Sequence, residues 1–413
     1  MKRRVVVTGA GIVTPLGCDL EQCWQRVQAG ESGIHPISII ETSGMRCTIG
    51  GDVVDWNPEQ YIDRKEMSRL DRFTQFTICA GEDAVNDSQI DFSIYDPFRC
   101  GVIFGSGIGG LNTIHDQMTK LIHKGPDRVS PMTIPRLMLN AAGGNLSIRY
   151  GLRGPNYSVA TACASATNAM GNAFHAIRSG LLDACITGGT EAAVTPISLA
   201  AFGNMRALSF RNDDPTAASR PFDAGRDGFV LAEGSAVLVF EELEKARARR
   251  AKIYGEVIGH GATGDAGHIT QPADDGVGAA RAMAMALDDA ELAPEAVDYI
   301  NAHGTSTPLG DIAETVAIKS VFGDHASKLS ISSTKSMLGH SLGASGGIEL
   351  ALSLTAIRDS VVPPTINLDE PDPECDLDYT PNVKVNRPIN VALSNSFGFG
   401  GHNACIVVRR LDS

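Results

Sequence analysis

Short apolar runs and amphipathic segments alternate along the chain, separated by turns that contain glycine or proline. In the first part of the chain, apolar runs predict strands at residues 4–8, 101–107, 157–162, 184–188 and 229–241. Helical periodicity predicts helices at residues 20–29, 70–88, 136–150 and 163–180, with a proline-bounded loop at 130–135. This alternation of strands and helices favours an α/β fold.

The same order of elements begins again after residue 250. Strands are predicted at residues 253–259, 297–302, 329–332, 390–394 and 404–408, and helices at 278–292, 312–322 and 342–358. Two short identities support a repeat: Ala84-Val-Asn-Asp lines up with Ala286-Leu-Asp-Asp, and Ala176-Ile-Arg with Ala356-Ile-Arg. We therefore expect two α/β halves, residues 1–250 and 251–413, packed as one body because no low-complexity linker separates them.

Composition narrows the class of protein. An apolar content of 43% and a charged content of 20% are typical of a soluble globular protein, and a net charge of −13 argues against a nucleic-acid binder. Nine cysteines without regular spacing favour reduced thiols in a cytoplasm over a disulfide framework. Glycines and a proline interrupt the first apolar run too early for an export signal or a membrane span, so a cytoplasmic location is expected.

Two glycine motifs follow predicted strands, as a dinucleotide-binding fingerprint does. Gly9-Ala-Gly-Ile-Val-Thr lacks the final glycine, and Gly105-Ser-Gly-Ile-Gly-Gly has no acidic residue closing a second strand about 20 residues further on. We expect these glycines to let backbone approach backbone, and not to bind a nucleotide.

Cys163 lies where the predicted strand 157–162 runs into a helix. A thiol in the first turn of a helix faces unpaired N–H groups and the positive end of the helix dipole, which favour the nucleophilic thiolate. A lone cysteine is more often a small core residue. His303 and His340, in glycine-rich turns far downstream, favour the nucleophile because helpers are often distant in sequence and close in space.

Three further features accompany these residues. Glu349 lies in an apolar helix, where a carboxylate is costly unless it is paired, and Lys335 is the candidate partner. The glycine-rich segment Asn395-Ser-Phe-Gly-Phe-Gly-Gly offers backbone N–H groups to an oxyanion. No Cys/His cluster has zinc spacing, so no metal is expected.

Over essentially its whole length, the chain resembles the elongating β-ketoacyl-acyl-carrier-protein synthases, type II in particular. The motifs that carry the resemblance are Val159-Ala-Thr-Ala-Cys-Ala-Ser, Arg220-Pro-Phe-Asp, Arg226-Asp-Gly-Phe, Asn301-Ala-His-Gly-Thr-Ser-Thr, Ser333-Thr-Lys-Ser, Gly339-His and Asn395-Ser-Phe-Gly-Phe-Gly-Gly. The resemblance implies a thiolase-like fold: two pseudo-symmetric halves in five α-β-α-β-α layers, assembled as a homodimer. It also implies an acyltransferase of fatty acid biosynthesis without a cofactor of its own, because acyl carrier protein carries the phosphopantetheine arm.

The resemblance also assigns roles in the reaction. Cys163 accepts the acyl chain, and the backbone N–H groups of Cys163 and Phe399 hold the oxyanion. His303 and His340 donate hydrogen bonds to the malonyl thioester as it loses CO₂ and becomes an enolate. Lys335 and Glu349 orient His340 and its surroundings.

Three further groups of residues are implied. Thr270, Thr305 and Thr307 are expected to contact the pantetheine arm and the malonyl unit. The acyl pocket is expected to include Ile108, Phe202, Thr133 and Ile134, with the segment around Thr133 reaching across the dimer, and Ile108 and Phe399 acting as gates. The expected docking surface for acyl carrier protein comprises Lys65, Arg69 and Arg72 on one helix face, with Arg128 and Arg206.

Two other functions are compatible with this resemblance. A chain-length or scaffold subunit of a polyketide assembly lacks the nucleophilic cysteine, so Cys163 argues against it. The ketosynthase of a polyketide pathway performs the same chemistry with a different carrier protein, and the sequence separates it poorly. Within the wider fold, a Cys-His-Asn set would resemble initiating synthases and Cys-His-Cys thiolases, so His340 favours elongation from a malonyl donor.

Overall fold

The structure, a computed structural model, describes residues 2–273 and 275–411. Its strands are β1 (Val5–Val13), β2 (His35–Pro36), β3 (Ile49–Gly50), β4 (Cys100–Gly105), β5 (Asn156–Val159), β6 (Ala184–Glu191), β7 (Gly234–Glu242), β8 (Gly255–Gly264), β9 (Tyr299–Asn301), β10 (Ser330–Ser332), β11 (Val361–Val362), β12 (Val385–Asn386), β13 (Val391–Gly398) and β14 (His402–Arg409). Its α-helices are α1 (Leu20–Ala29), α2 (Arg64–Met67), α3 (Arg72–Ser88), α4 (Leu111–Lys124), α5 (Thr133–Leu137), α6 (Ala141–Tyr150), α7 (Ser165–Arg178), α8 (Pro196–Asn204), α9 (Leu243–Ala248), α10 (Val277–Ala290), α11 (Pro308–Phe322), α12 (Lys335–Leu338) and α13 (Ser345–Asp359).

Ten of the strands form one sheet in the order β5-β4-β6-β7-β1-β8-β14-β13-β9-β10. Reading outwards from the central β1–β8 pair, both sides repeat one pattern: two antiparallel pairings and then two parallel ones. The strands on each side also occur in the same chain order. The repeat of elements predicted from the sequence is therefore present as a two-fold repeat of topology.

Helices cover the sheet in layers. Helices α7 and α13 lie between the two halves of the sheet, and their apolar residues belong to one continuous core that includes β1 and β7. Helices α3 and α6 cover the outer face of the first half, while α10 and α11 cover that of the second. The result is the expected five-layer α-β-α-β-α arrangement of a thiolase-like fold.

Glycines in the two central strands allow helices to approach unusually closely. A Cβ atom on Gly9 would lie 2.2 Å from the carbonyl oxygen of Ala84 in α3. The equivalent contact in the second half joins Gly259 to the carbonyl oxygen of Ala286 in α10, also at 2.2 Å. No side chain fits in either place. The prediction that backbone packing explains Gly9-Ala-Gly is confirmed, and Ala84 and Ala286 occupy matching positions, as their alignment predicted.

Several predicted elements differ from the structure. The loop at 130–135 and the helix at 136–150 are replaced by α5 and α6, because Met138 adopts an extended conformation between them. The strand at 157–162 is wrong in length and burial, since β5 ends at Val159 and lies half-exposed at the edge of the sheet. Helices α4 and α8 were not predicted.

None of the helices in residues 2–273 and 275–411 combines the length and apolar character that a bilayer crossing requires. All nine cysteines are free thiols, as their irregular spacing predicted.

Candidate active site

Cys163 lies between the end of β5 and the start of α7, where its buried side chain lines a cavity. It precedes the first residue of α7 by two positions, so it is not in the first helical turn as predicted. The preceding residue, Ala162, has φ +49°, a left-handed conformation that is unusual for a residue with a side chain. Such strain is retained where the surrounding structure needs a particular backbone direction, and here that direction places the sulfur in the cavity.

His340 contacts the sulfur directly. Its Nε2 atom lies 3.0 Å from Cys163 Sγ, and its Nδ1 atom lies 3.0 Å from the Ser345 hydroxyl. The backbone N–H of His340 donates to the carbonyl oxygen of Val230 at 2.8 Å, which fixes the turn after α12. Because a serine hydroxyl both donates and accepts, Ser345 supports either tautomer of the imidazole.

His303 completes a three-residue cluster. It follows β9, and its ring centroid lies 5.3 Å from that of His340 at an interplanar angle of 86°. Its backbone N–H donates to Glu314 at 2.8 Å, and the next N–H, that of Gly304, donates to the other Glu314 oxygen at 2.7 Å. This buried carboxylate therefore holds the His303 turn. Among the described residues, His303 Nδ1 is buried without a hydrogen-bond partner.

Burial controls the protonation of this cluster. It raises the pKa of the Cys163 thiol to about 12, although the Lys335 charge and the N–H groups of Phe399 and Cys163 oppose the rise. Burial, reinforced by the Lys335 charge, lowers the pKa values of His303 and His340 well below the ordinary histidine value. The expected resting thiolate is therefore wrong: desolvation outweighs the favourable dipole, leaving a neutral thiol beside two neutral imidazoles.

These protonation states suit a thiol that is activated during the reaction. Neutral His340 Nε2 is placed to take the thiol proton as the sulfur attacks a carbonyl carbon. The N–H groups of Cys163 and Phe399 both face the sulfur, where the oxyanion of an attacked thioester would form. A Cβ on Gly398 would lie 2.8 Å from the Cys163 nitrogen, so only glycine allows this loop to come so near.

Lys335 and Glu349 form the ion pair predicted from the sequence. Both side chains are almost fully buried, and the ammonium group donates to one oxygen of the carboxylate. The ammonium charge acts on the pKa values of Cys163 and both histidines. The hydrogen bond to the far side of the His340 ring comes instead from Ser345, which was not predicted.

The cavity has a volume of about 510 Å³ and a mainly apolar lining. It brings together ten of the predicted residues, namely Cys163, His303, His340, Phe399, Thr270, Thr305, Thr307, Ile108, Phe202 and Arg206. The hydroxyl oxygens of Thr305 and Thr307 lie 3.1 Å apart on its wall. The Phe202 ring packs against Phe399 with centroids 6.3 Å apart.

Thr133 and Ile134 do not line this cavity. Both belong to α5, and the Ile134 side chain is 62% exposed. Within one chain they are surface residues, and their assignment to a partner's acyl pocket stays a prediction.

The predicted docking residues are only partly placed as expected. Lys65 lies in α2 and Arg69 in the turn after it, and both are exposed. Arg128 is exposed in the turn after α4, and Arg206 is exposed at the wall of the cavity.

Arg72 is a wrong assignment. It begins α3 and turns inward, pairing with the fully buried Glu233 at 2.6 Å and donating to the carbonyl oxygen of Val53 at 2.7 Å. Its guanidinium also lies over the rings of Trp56 and Phe76. The spacing of three to four residues between these cations gave a wrong prediction because α2 ends at Met67 and α3 begins at Arg72. Lys65 and Arg72 therefore do not share a helix face.

The cluster also has the donors that a soft divalent metal prefers. One ligand atom each from Cys163, His303 and His340 lies within 4.8 Å of the others, all in buried side chains. If Cys163 were deprotonated, its sulfur and the two imidazoles would form a donor set of the kind that zinc takes, which sequence spacing had not indicated.

The chain is similar to known proteins over most of its length. Residues 2–246 match the family model described as "Beta-ketoacyl synthase, N-terminal domain", and residues 254–369 match "Beta-ketoacyl synthase, C-terminal domain". The chain is 53% identical over 409 residues to 3-oxoacyl-[acyl-carrier-protein] synthase 2 of Synechocystis sp. strain PCC 6803, covering 99% of this chain and 98% of that relative. It is 50% identical over 411 residues to the protein of the same name from Staphylococcus aureus strain COL, covering 100% and 99%.

Solved structures show the same likeness. A β-ketoacyl synthase from Burkholderia phymatum STM815 superposes with a TM-score of 0.91 at 34% identity, covering 100% of both chains. A ketosynthase of a type II polyketide synthase, solved in complex with its acyl-carrier protein and bound to the hexaketide, gives a TM-score of 0.92 at 36% identity with the same coverage.

Proposed function

The chain belongs to the β-ketoacyl synthase family, and on that premise we propose that it is the elongating 3-oxoacyl-acyl-carrier-protein synthase of fatty acid biosynthesis. The observation that carries the proposal is the contact of 3.0 Å between Cys163 Sγ and His340 Nε2, with His303 alongside, in the lining of a mainly apolar cavity. A nucleophile, two imidazoles and an apolar channel are what a condensing enzyme for acyl chains requires.

The first half-reaction transfers the acyl chain. Cys163 attacks the thioester of acyl carrier protein while His340 takes its proton, and the backbone N–H groups of Cys163 and Phe399 stabilise the tetrahedral oxyanion. Collapse of this intermediate breaks the carbon–sulfur bond to the phosphopantetheine arm. The arm leaves as a thiol with the proton from His340, and the acyl chain stays on the enzyme.

The second half-reaction uses malonyl carrier protein. Loss of CO₂ leaves an electron pair on the α-carbon, and the resulting enolate oxygen accepts hydrogen bonds from His303 and His340. Neutral imidazoles suit this step, because each can donate an N–H hydrogen bond to the enolate oxygen while the negative charge stays on the enolate. The carbanion attacks the acyl thioester, Cys163 leaves as thiolate, and the product is a 3-oxoacyl chain two carbons longer.

The reaction as proposed needs no resident cofactor, because the arm arrives with the carrier protein. We propose that Thr305 and Thr307, which line the cavity, contact that arm together with Thr270, which lines the same cavity. The proposed partner is therefore acyl carrier protein, loaded with either the acyl or the malonyl group.

The deciding experiment is a condensation assay with purified components. Acyl and malonyl carrier proteins of the fatty acid pathway are expected to give a 3-oxoacyl carrier protein two carbons longer, detected by mass. The second candidate, a polyketide ketosynthase, is supported by the likeness of 36% to such an enzyme, but the fatty acid relatives are more similar, at 50–53%. Turnover with a polyketide carrier protein and none with the fatty acid carrier would reverse the assignment.

Carrier-protein docking gives a separate prediction. Acyl carrier proteins are small and acidic, so exposed cations must oppose the net charge of −13. Reversing Lys65 and Arg69 to Glu should raise the apparent KM for carrier-bound substrate about three- to tenfold and leave small thioester mimics unaffected. Steady-state kinetics with both substrate types at two salt concentrations provide the measurement.

A matched control reverses two exposed lysines outside the cavity wall, Lys328 and Lys384, to Glu. The control changes the net charge equally and should leave the KM for carrier protein near that of the unaltered chain. An equal rise in both double variants would mean that overall charge, not a local surface, governs binding.

We further propose a homodimer. Strand β5 forms an open edge of the sheet, and the hydroxyl of Ser158 in this strand donates to the carbonyl oxygen of Leu139, just after α5. Helices α4 and α5 contact each other and carry an exposed apolar surface. Its exposed side chains are Ile114, Met118, Leu121, Ile122, Ile134 and Met138. An exposed apolar surface of this kind beside an unpaired edge strand is typical of an interface. Sedimentation velocity should return twice the chain mass of 43.6 kDa, and a monomer would refute the proposal.

We also propose that the protein is located in the cytoplasm. Reduced cysteines and substrates carried by acyl carrier protein suit a cytoplasmic enzyme, and cell fractionation would test it.

A further inference from the structure

Glu191 is a buried carboxylate beside the active site for which the reaction has no use. It is the last residue of β6, is fully buried, and forms part of the cavity wall. The ion pairs among the described residues do not include it. A carboxylate without a cation is costly to bury unless hydrogen bonds compensate it, so its surroundings require an explanation.

Five donors surround this carboxylate. Oε1 accepts from the Ser106 hydroxyl at 3.0 Å and from the N–H groups of Ile108 and Gly109 at 3.1 and 3.3 Å. Oε2 accepts from the N–H groups of Gly107 at 2.7 Å and Gly343 at 3.2 Å. Burial raises the pKa of Glu191, and four of these hydrogen bonds oppose that rise.

The donors come from two separate turns. Residues 106–110 join β4 to α4 and carry Ile108 into the cavity, whereas Gly343 belongs to the short 3-10 helix Leu342–Ala344 between His340 and α13. A Cβ on Gly107 or Gly343 would lie 2.9 or 2.6 Å from Glu191 Oε2. Only glycine at these two positions lets the carboxylate come so close to the backbone.

This arrangement also explains the second glycine motif. In a dinucleotide-binding turn, successive backbone N–H groups surround a phosphate. In Gly105-Ser-Gly-Ile-Gly-Gly the same kind of N–H groups surround the chain's own carboxylate. The turn is therefore an anion-binding site whose anion is the carboxylate of Glu191, and the conformation of the turn depends on this residue.

We propose that Glu191 is a positioning residue that sets the upper limit of acyl chain length by holding the Ile108 turn across the acyl end of the cavity. Ile108 packs in the same apolar cluster as Cys163, Leu342 and Phe202, so a longer chain must displace it. The backbone segment that carries Ile108 is tied to one carboxylate by three N–H groups and one hydroxyl, so this segment can move away from the cavity only when those hydrogen bonds break. The proposal rests on the proposed function, since it concerns the substrate range of that reaction.

Glu191→Gln is the most direct test, because it keeps the shape and removes the charge. Whichever way the amide points, its NH₂ group faces at least two N–H donors, so the turn loses acceptors in either orientation. We expect the ratio of Cys163 acylation rates for long over short acyl carrier proteins to rise at least about fivefold. The rate with the shortest primer should change less than about twofold.

Two further variants separate gating from general damage. In an Ile108→Ala background the blocking side chain is already gone, so adding Glu191→Gln should change the ratio less than about twofold. Glu241→Gln removes another fully buried carboxylate, in β7 and away from the cavity wall. It should lower thermal stability without altering the chain-length ratio.

If Glu191→Gln fails to fold, Ser106→Ala removes one of the five hydrogen bonds and should shift the ratio in the same direction.

A uniform change of rate across all primer lengths, or an undiminished effect in the Ile108→Ala background, would overturn the proposal. Failure of the proposed function has a different signature. In that case the unaltered chain itself would give no condensation product, whereas failure of this inference leaves condensation intact and the chain-length profile of Glu191→Gln unchanged.

Discussion

Replacing Cys163 with serine is expected to reduce condensation about a thousandfold or more, because the reaction then lacks its covalent intermediate. Burial already raises the pKa of the thiol to about 12, so the sulfur reacts only as His340 removes its proton. A serine hydroxyl is still less acidic, and the same imidazole cannot compensate for the difference. Intact-mass measurement after incubation with acyl carrier protein should show one acyl group on the unaltered chain and none on the variant.

The other eight cysteines provide the control for this experiment. Cys18 is the most accessible of them, and Cys18→Ser should acylate normally. Peptide mapping should place the acyl group on Cys163 alone. An acyl group on another cysteine, with Cys163 unmodified, would falsify the assignment of the nucleophile.

Replacing His303 with alanine should lower malonyl decarboxylation about 10²- to 10³-fold, since one of the two donors to the enolate is lost. Acyl transfer to Cys163 should fall far less, because His303 makes no hydrogen bond to the sulfur among the described contacts. The two half-reactions are measured separately, by CO₂ release from malonyl carrier protein and by the acyl mass on the enzyme.

His340→Ala is expected to behave differently from its neighbour. The family resemblance assigned both histidines to the decarboxylation of the malonyl group. The contact of 3.0 Å between His340 Nε2 and Cys163 Sγ adds a role in acylation, so here both half-reactions should fall. Acylation by the His340→Ala variant should rise with pH up to the raised pKa of Cys163, because only hydroxide then removes the proton. Equal losses of both half-reactions in His303→Ala would contradict the division of roles.

The fold was predictable where local pattern and chain order agree. The repeat after residue 250 and the alignment of Ala84 with Ala286 both reappear as matching positions in the two halves. Element ends were less predictable. Pattern gave no sign that Met138 breaks the predicted helix, nor that β5 would lie at an open edge.

The candidate site was also predictable only in part. Glu349 was identified because a carboxylate within an apolar helix needs a partner, and Lys335 is that partner. Glu191 and Glu314 carry the same signal, as acidic residues in apolar surroundings, but each is satisfied by backbone N–H groups from distant turns. The sequence does not show which turn supplies such donors, so the roles of Glu191 and Glu314 became clear only from the coordinates.

Charge and protonation were least predictable. The spacing of Arg72 from Lys65 suggested a shared exposed face, yet Arg72 neutralises the buried Glu233. The position of Cys163 near a helix start suggested a thiolate, yet desolvation reverses the sign of its pKa shift. Both errors come from burial, which periodicity alone does not quantify.

The nucleophile and its two histidines come from opposite halves of the repeated sheet: Cys163 follows β5, whereas His303 and His340 follow β9 and α12. A chain emerging from the ribosome therefore contains the thiol long before it contains either imidazole. Residues of both halves line the cavity around Cys163, and His340 of the second half makes the contact of 3.0 Å with its sulfur. On the proposed mechanism, a chain that ends before residue 303 therefore has the thiol but neither imidazole, and we expect carrier protein not to acylate it.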